Sequence, residues 1–93
     1  MDLEKKVNWK FYHLNTALEM CSLKRAVLFS LKNHLSRLKE LVLNYIAFHN
    51  GLKRSYTVFN KKRYKSRLLL NSYISEFKGY VVFLEKLINS RQP

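Results

Sequence analysis

The chain has 93 residues, 47% of them hydrophobic, with 18 Lys or Arg against 6 Asp or Glu and a formal net charge of +12. The length predicts one domain, residues 1–93, and the hydrophobic fraction excludes a disordered chain. The longest stretch without a formal charge, residues 41–52, is too short to cross a bilayer, which excludes a transmembrane segment. No signal peptide is visible, so we expect an intracellular protein of the cytoplasm, the nucleus or nucleoid, or an organelle.

Residues that break helices are scarce, because the only glycines are Gly51 and Gly79 and the only proline is Pro93. This composition predicts long helices. The first is predicted from Leu3 to Met20, with Asp2 as its N-cap. Apolar residues at steps of three and four predict one buried stripe, widened by four further residues. The stripe is Leu3, Val7, Phe11, Leu14, Leu18 and Cys21, and the widening residues are Trp9, Tyr12, Ala17 and Met20.

The second helix is predicted from Ser22 to about His49. Its seam alternates steps of three and four, as in a helical bundle, through Leu28, Leu31, Leu35, Leu38, Val42 and Tyr45. Residues 41–48 are apolar on several sides, which predicts central burial of that half. Asn50-Gly51 predicts a helix stop in which glycine takes the left-handed conformation.

The connection between these two helices has two interpretations. A single helix of about 48 residues, about 70 Å long, is conceivable because no breaker separates them. A slip in the phase of the apolar stripe instead favours a turn near residues 21–25, with Ser22 as the N-cap of the second helix.

The last helix is predicted from about Leu68 to Asn89, with Gly79 on its outer face. Its seam is Leu70, Tyr73, Phe77, Tyr80, Leu84 and Leu87. Before Leu68 two starts fit: the helix begins near Asn60, or residues 55–65 form a separate short element. If the helical phase of the seam is extended backwards, Phe59, Arg63 and Ser66 point towards the core and Lys61, Tyr64 and Lys65 point to solvent. Together the three helices predict an all-α fold, an antiparallel three-helix bundle with a basic connection before the last helix.

No set of residues for catalysis or metal binding can be assembled. The six acids are scattered, and His13, His34 and His49 share no ligand spacing with Cys21. Two isolated glycines cannot make a phosphate-binding loop. We therefore expect no enzymatic activity, no cofactor and no metal.

The basic segment is the one strong functional signal. Between Glu40 and Glu76 the chain has seven Lys or Arg residues and no Asp or Glu. A cluster of one sign repels itself unless a polyanion lies against it. Lys and Arg neutralise phosphates, Arg adds bidentate contacts, and the interleaved rings, Phe59 among them, provide stacking faces for unpaired bases. The predicted nucleic-acid-binding residues are Lys53, Arg54, Tyr56, Lys61, Lys62, Arg63, Tyr64, Lys65 and Arg67.

These residues predict a non-enzymatic nucleic-acid-binding protein that contacts mainly the phosphate backbone, as a small subunit of a ribonucleoprotein or nucleoprotein assembly. RNA is preferred over DNA because of the tyrosines. Two weaker basic patches are also candidates. The first is Lys24, Arg25, Lys32, Arg37 and Lys39, and the second is Lys5, Lys6 and Lys10.

Four other interpretations stay open. The basic cluster can be an ordinary solvated face. Ser36–Arg67 can be divided as a helix-turn-helix, although its first helix is long for that motif. An anionic membrane surface fits the charge. A helical protein–protein interaction subunit or adaptor would dock through exposed apolar faces, for which the broad apolar surface of residues 41–48 and the outward positions of Leu68 and Val82 are candidates. Homo-oligomers and protein partners in a larger complex are compatible with each.

Overall fold

The chain folds into three helices, α1 (Leu3–Glu19), α2 (Arg25–Arg54) and α3 (Asn60–Arg91). This computed structural model describes residues 2–54 and 60–91, without the side chains at positions 53, 54, 60, 61 and 63. All regular structure in the described ranges is helical, which confirms the all-α prediction. Among the described helices, none is both long enough and apolar enough to cross a membrane.

The helices alternate in direction. The rings of Tyr45 in α2 and Tyr73 in α3 lie 4.8 Å apart, and those of His34 and Tyr80 lie 4.4 Å apart, so α2 and α3 run antiparallel along their length. The Tyr80 hydroxyl also donates to the Leu31 carbonyl at 3.4 Å, and burial raises the pKa of this phenol. The turn that a helix-turn-helix division of Ser36–Arg67 requires at residues 50–54 is instead part of α2, so that interpretation is wrong.

The first turn of α1 and the connection that follows this helix agree with the predicted boundaries. The Asp2 carboxylate accepts a hydrogen bond of 3.0 Å from the Glu4 N–H, as an N-cap does. Residues 20–24 separate α1 from α2, which confirms the predicted turn. The predicted cap is wrong: the Leu28 N–H donates to the Lys24 carbonyl at 2.9 Å, and Lys24, not Ser22, precedes the helix.

The stop predicted at Asn50-Gly51 is also wrong. Helix α2 continues through Gly51 to Arg54, and no described glycine has a positive φ. A glycine inside a helix costs roughly 1 kcal/mol of stability relative to Ala. This cost is small enough for tertiary packing to offset, so the helix continues through the residue. Helix α3 begins at Asn60, so the first of the two predicted starts is right and residues 60–65 are not a separate element.

The three predicted seams form the core. Their deepest members are Leu18 of α1, Leu35 and Val42 of α2, and Leu84 of α3, all fully buried. The remaining seam residues are buried or pack against this core, except Leu87, which is half-buried at the end of the α3 seam, and the spacing of threes and fours is thereby confirmed. The remaining buried apolar residues are Val7, Leu14, Leu38, Ile46, Leu70, Phe77, Val81 and Ile88.

Several large residues predicted to be buried are exposed. Phe48 and Leu41 are exposed on α2, so the central burial predicted for residues 41–48 is wrong for these two. Trp9 and Tyr12 are exposed on α1, as is Met20 directly after it, so they do not widen the buried stripe. With two neighbours, each helix can bury only the face that meets them, and its other apolar residues stay at the surface.

The bundle is elongated, with principal extents of 54 × 19 × 18 Å. Helix α1 has 17 residues against 30 in α2 and 32 in α3, so it covers only part of the α2–α3 hairpin. Glu19 contacts Lys32, and Phe11 contacts Lys39. Continuing this register brings Leu3 beside residue 48, so residues 49–54 and the start of α3 extend past α1.

Candidate nucleic-acid interface

The antiparallel hairpin brings the predicted basic residues to one end of the protein. Lys53 and Arg54 lie in the last turn of α2, and residues 61–67 form the first two turns of α3. We call this end, residues 53–54 and 60–67, the basic tip. The structure does not describe the side chains of Lys53, Arg54, Lys61 and Arg63. The predicted residues Tyr56 and Phe59 lie entirely outside the described ranges.

The other predicted residues of the basic tip are at the surface. Lys62, Lys65 and Arg67 are exposed, and Tyr64 is 64% exposed. At about 100° per residue, Lys62 and Lys65 lie on one side of α3, while Tyr64 and Arg67 lie on another. Among the cations whose side chains are described, Lys62 and Lys65 therefore share a side of the helix that Arg67 does not. Ser66 between them is buried, as the phase predicts.

No carboxylate pairs with Lys62, Lys65 or Arg67, the cations of the basic tip whose side chains are described. The described ion pairs, Lys10 with Glu85 and Lys32 with Glu19, both involve α1. Helix α3 has no acidic residue in its first turn, where Lys61, Lys62 and Arg63 lie. Cations there oppose the helix dipole by about 0.3–1 kcal/mol each, and an anion would relieve this.

The other two basic patches differ in how free their side chains are. In the larger one, Lys32 is paired with Glu19, and Lys39 lies 4.1 Å from the centre of the Phe11 ring, so both are already engaged within the bundle. In the smaller one, Lys5, Lys6 and Lys10 are exposed along α1, and Lys10 is paired with Glu85 at 3.1 Å.

The prediction from sequence missed the aromatic residues beside the smaller patch. Trp9, Tyr12 and His13 are exposed on α1, where the first two were predicted to be core. A signal for their position exists in the sequence, because Lys5, Trp9 and Tyr12 recur at steps of four and three, as a polar helix face does. Lys6, Lys10 and His13 repeat the same spacing one position later along the helix.

The surface presents cationic and aromatic side chains, and the described residues contain no metal centre. Within residues 2–54 and 60–91, no three His, Cys, Asp or Glu side chains converge as metal ligands do. Fold and surface together define a small basic helical-bundle protein. No protein family, curated protein or solved structure matches the chain.

Proposed function

We propose that this chain is a non-enzymatic, intracellular nucleic-acid-binding protein that holds the phosphate backbone with its basic tip. RNA is preferred over DNA, and a ribonucleoprotein or nucleoprotein assembly is a fitting setting. The observation that carries the proposal is that seven Lys and Arg residues lie at one end of the α2–α3 hairpin, with no acid in residues 41–75.

The chemistry of the basic tip favours phosphate over other anions. Each Lys or Arg that neutralises a phosphate releases condensed counterions, so affinity grows with the number of contacts. Arg67 adds a planar fork that matches phosphate oxygens. Exposed Tyr64 offers a stacking face, which supports the preference for RNA because its single-stranded regions present unpaired bases.

A charge-neutralising variant tests the basic tip. Lys61, Lys62, Arg63 and Lys65 are replaced by Gln, and binding to a labelled RNA is followed by fluorescence anisotropy over a series of salt concentrations. We expect affinity at low salt to fall several-fold and the slope of log K against log[salt] to become shallower, by roughly 0.7–0.9 for each phosphate that is no longer neutralised. Helicity, measured by circular dichroism, should not change because the apolar seams that form the core keep all their residues.

The matched control removes the same number of charges from the opposite end of the bundle. Lys24, Arg25, Lys86 and Arg91 are exposed there, at the start of α2 and the end of α3. Replacing these four by Gln should leave most of the affinity. Equal reductions in affinity for both variants would mean that net charge, not the basic tip, holds the nucleic acid.

A protein–protein interaction subunit is the second candidate. Leu68 and Val82 are exposed on α3, as the sequence predicts for this alternative, and Phe48 is exposed on α2. Exposed apolar residues of this size favour a protein interface where they are contiguous. Ultraviolet absorbance of the purified protein separates the two candidates. Bound nucleic acid that a high-salt wash removes supports the basic tip, and an absorbance spectrum without nucleic acid at low salt supports a protein partner.

A further inference from the structure

Three aromatic side chains form a ridge on the outer side of α1. Trp9 is 62% exposed and stacks with Tyr12, with ring centroids 6.4 Å apart and planes 20° apart. The His13 ring meets the edge of Trp9 at 4.3 Å and lies 6.4 Å from the Tyr12 ring. We call Trp9, Tyr12 and His13 the α1 ridge. Its rings share a helix face and leave Trp9 and Tyr12 largely open to solvent.

Cations surround the α1 ridge. A hollow beside Trp9 and Tyr12 is lined by Lys5, and a groove on the other side of Trp9 is lined by Lys6, Lys10 and Lys78. The only acid lining this groove is Glu85, which is paired with Lys10. The surroundings of the rings therefore carry excess positive charge.

Trp9 is also a wall of the groove, which lies between α1 and α3. The groove has a volume of about 520 Å³, and its other walls are mostly apolar, with Val7, Phe77 and Val82 among them. This volume is within the roughly 300–1,000 Å³ of small-molecule pockets, so a nucleobase has room. A flat apolar ligand attached to a negative charge matches a groove with an indole wall and a lysine rim.

We propose that the α1 ridge and this groove bind unpaired bases, with Lys6 and Lys78 at the adjoining phosphates, so that the ligand is a single-stranded nucleic acid. Every base presents a π-face, and stacking on aromatic side chains is the usual means of holding a single strand without reading its sequence. In a duplex the bases are stacked on each other and cannot reach Trp9.

This inference rests on the proposed function, because the basic tip is expected to hold the same strand. Val82 lines the groove, and Tyr64 lies eighteen positions earlier on α3, which is five helical turns. Tyr64 and Val82 therefore lie on the same side of α3, about 27 Å apart along its axis. A strand that follows this side meets Tyr64 and Arg67 at one end and Trp9 at the other.

Trp9 is the only tryptophan of the chain, so its fluorescence reports on this one site. The probe is an end-labelled oligouridine of about 15 nucleotides, near the upper site size of single-strand-binding domains. We expect it to quench Trp9 emission with the same midpoint as the rise in anisotropy of the label. An RNA duplex of equal length and inorganic polyphosphate should bind the basic tip without quenching Trp9.

A substitution separates stacking from charge. Trp9→Leu should lower the affinity for the single strand by about five-fold or more, the lower range for removal of one stacked base, and leave the affinity for the duplex unchanged. The control is Phe83→Leu, because Phe83 is likewise exposed and stacks on a neighbouring ring, that of Tyr80 at 5.7 Å, but does not line the groove. It should leave both affinities unchanged. Circular dichroism checks that both variants remain folded.

The outcomes distinguish the two proposals. Binding of the single strand without quenching, or equal reductions in affinity for single strand and duplex in Trp9→Leu, overturns the α1 site and leaves the basic tip. Quenching by polyphosphate as strong as that by RNA also overturns it, because no base is present to stack. If neither RNA binds at low salt, both proposals fail together.

Discussion

Ser66 lies in α3 between two exposed cations, Lys65 and Arg67, yet it is only 2% exposed itself. Its hydroxyl oxygen has no hydrogen-bond partner in the described part of the chain. A buried, unpaired hydroxyl costs about 1–3 kcal/mol of stability, and serine is also a weaker helix former than alanine. The basic tip therefore contains a position at which stability and binding can be separated.

Ser66→Ala is expected to raise the free energy of unfolding by about 1 kcal/mol or more, measured by urea denaturation. The matched control is Ser72→Ala in the exposed part of the same helix, which gains only helix propensity, at most about 0.7 kcal/mol. Nucleic-acid affinity should be the same in both variants. A decrease in the stability of Ser66→Ala would show that the hydroxyl has a partner in solution.

Helix α2 extends past the C-terminal end that the sequence predicts for it. A substitution at Gly51 tests whether the helix continues through this residue. An added Cβ at Gly51 would meet nothing within 4 Å, and the residue is helical without a positive φ. Gly51→Ala should therefore raise the free energy of unfolding by about 0.5–1 kcal/mol, by removing the conformational entropy of glycine in a helix.

Gly79→Ala in α3 is the comparison, because Gly79 is exposed, helical and equally free of neighbours. Both variants should gain similar stability in thermal or urea denaturation. If α2 instead ended at a left-handed Gly51, the added methyl group would strain the backbone there, and Gly51→Ala would lose stability while Gly79→Ala gained it.

The regular spacing of apolar residues could predict the existence of three helices and the burial of Leu35 and Leu84, because this period fixes which residues share a helix face. It could not predict that Trp9 and Phe48 are exposed, since the number of neighbours that cover a face is decided by the whole bundle. Charge along the chain predicted the composition of the basic tip. Its assembly depends on the antiparallel pairing of α2 with α3, and the α1 ridge depends on where that bundle leaves α1 uncovered.

The net charge of +12 acts on a bundle only 18–19 Å across its two shorter axes. Like charges at these separations repel each other and favour the unfolded chain, in which they are farther apart. Salt screens this repulsion, because the Debye length falls from about 30 Å at 0.01 M to about 8 Å at 0.15 M. The two described ion pairs are at the surface and at least partly exposed to solvent, and such pairs contribute little to stability.

The four-glutamine variant of Lys61, Lys62, Arg63 and Lys65 should therefore bind nucleic acid less and yet be more stable than the natural chain at low salt. We expect its melting temperature to be higher at about 10 mM salt and the difference to shrink at about 150 mM, measured by circular dichroism without nucleic acid. The control with four charges removed at the opposite end should gain less, because its cations are less crowded. A lower melting temperature for the four-glutamine variant at low salt would mean that the fold itself compensates these charges, and the crowding of cations would then no longer imply an anionic ligand.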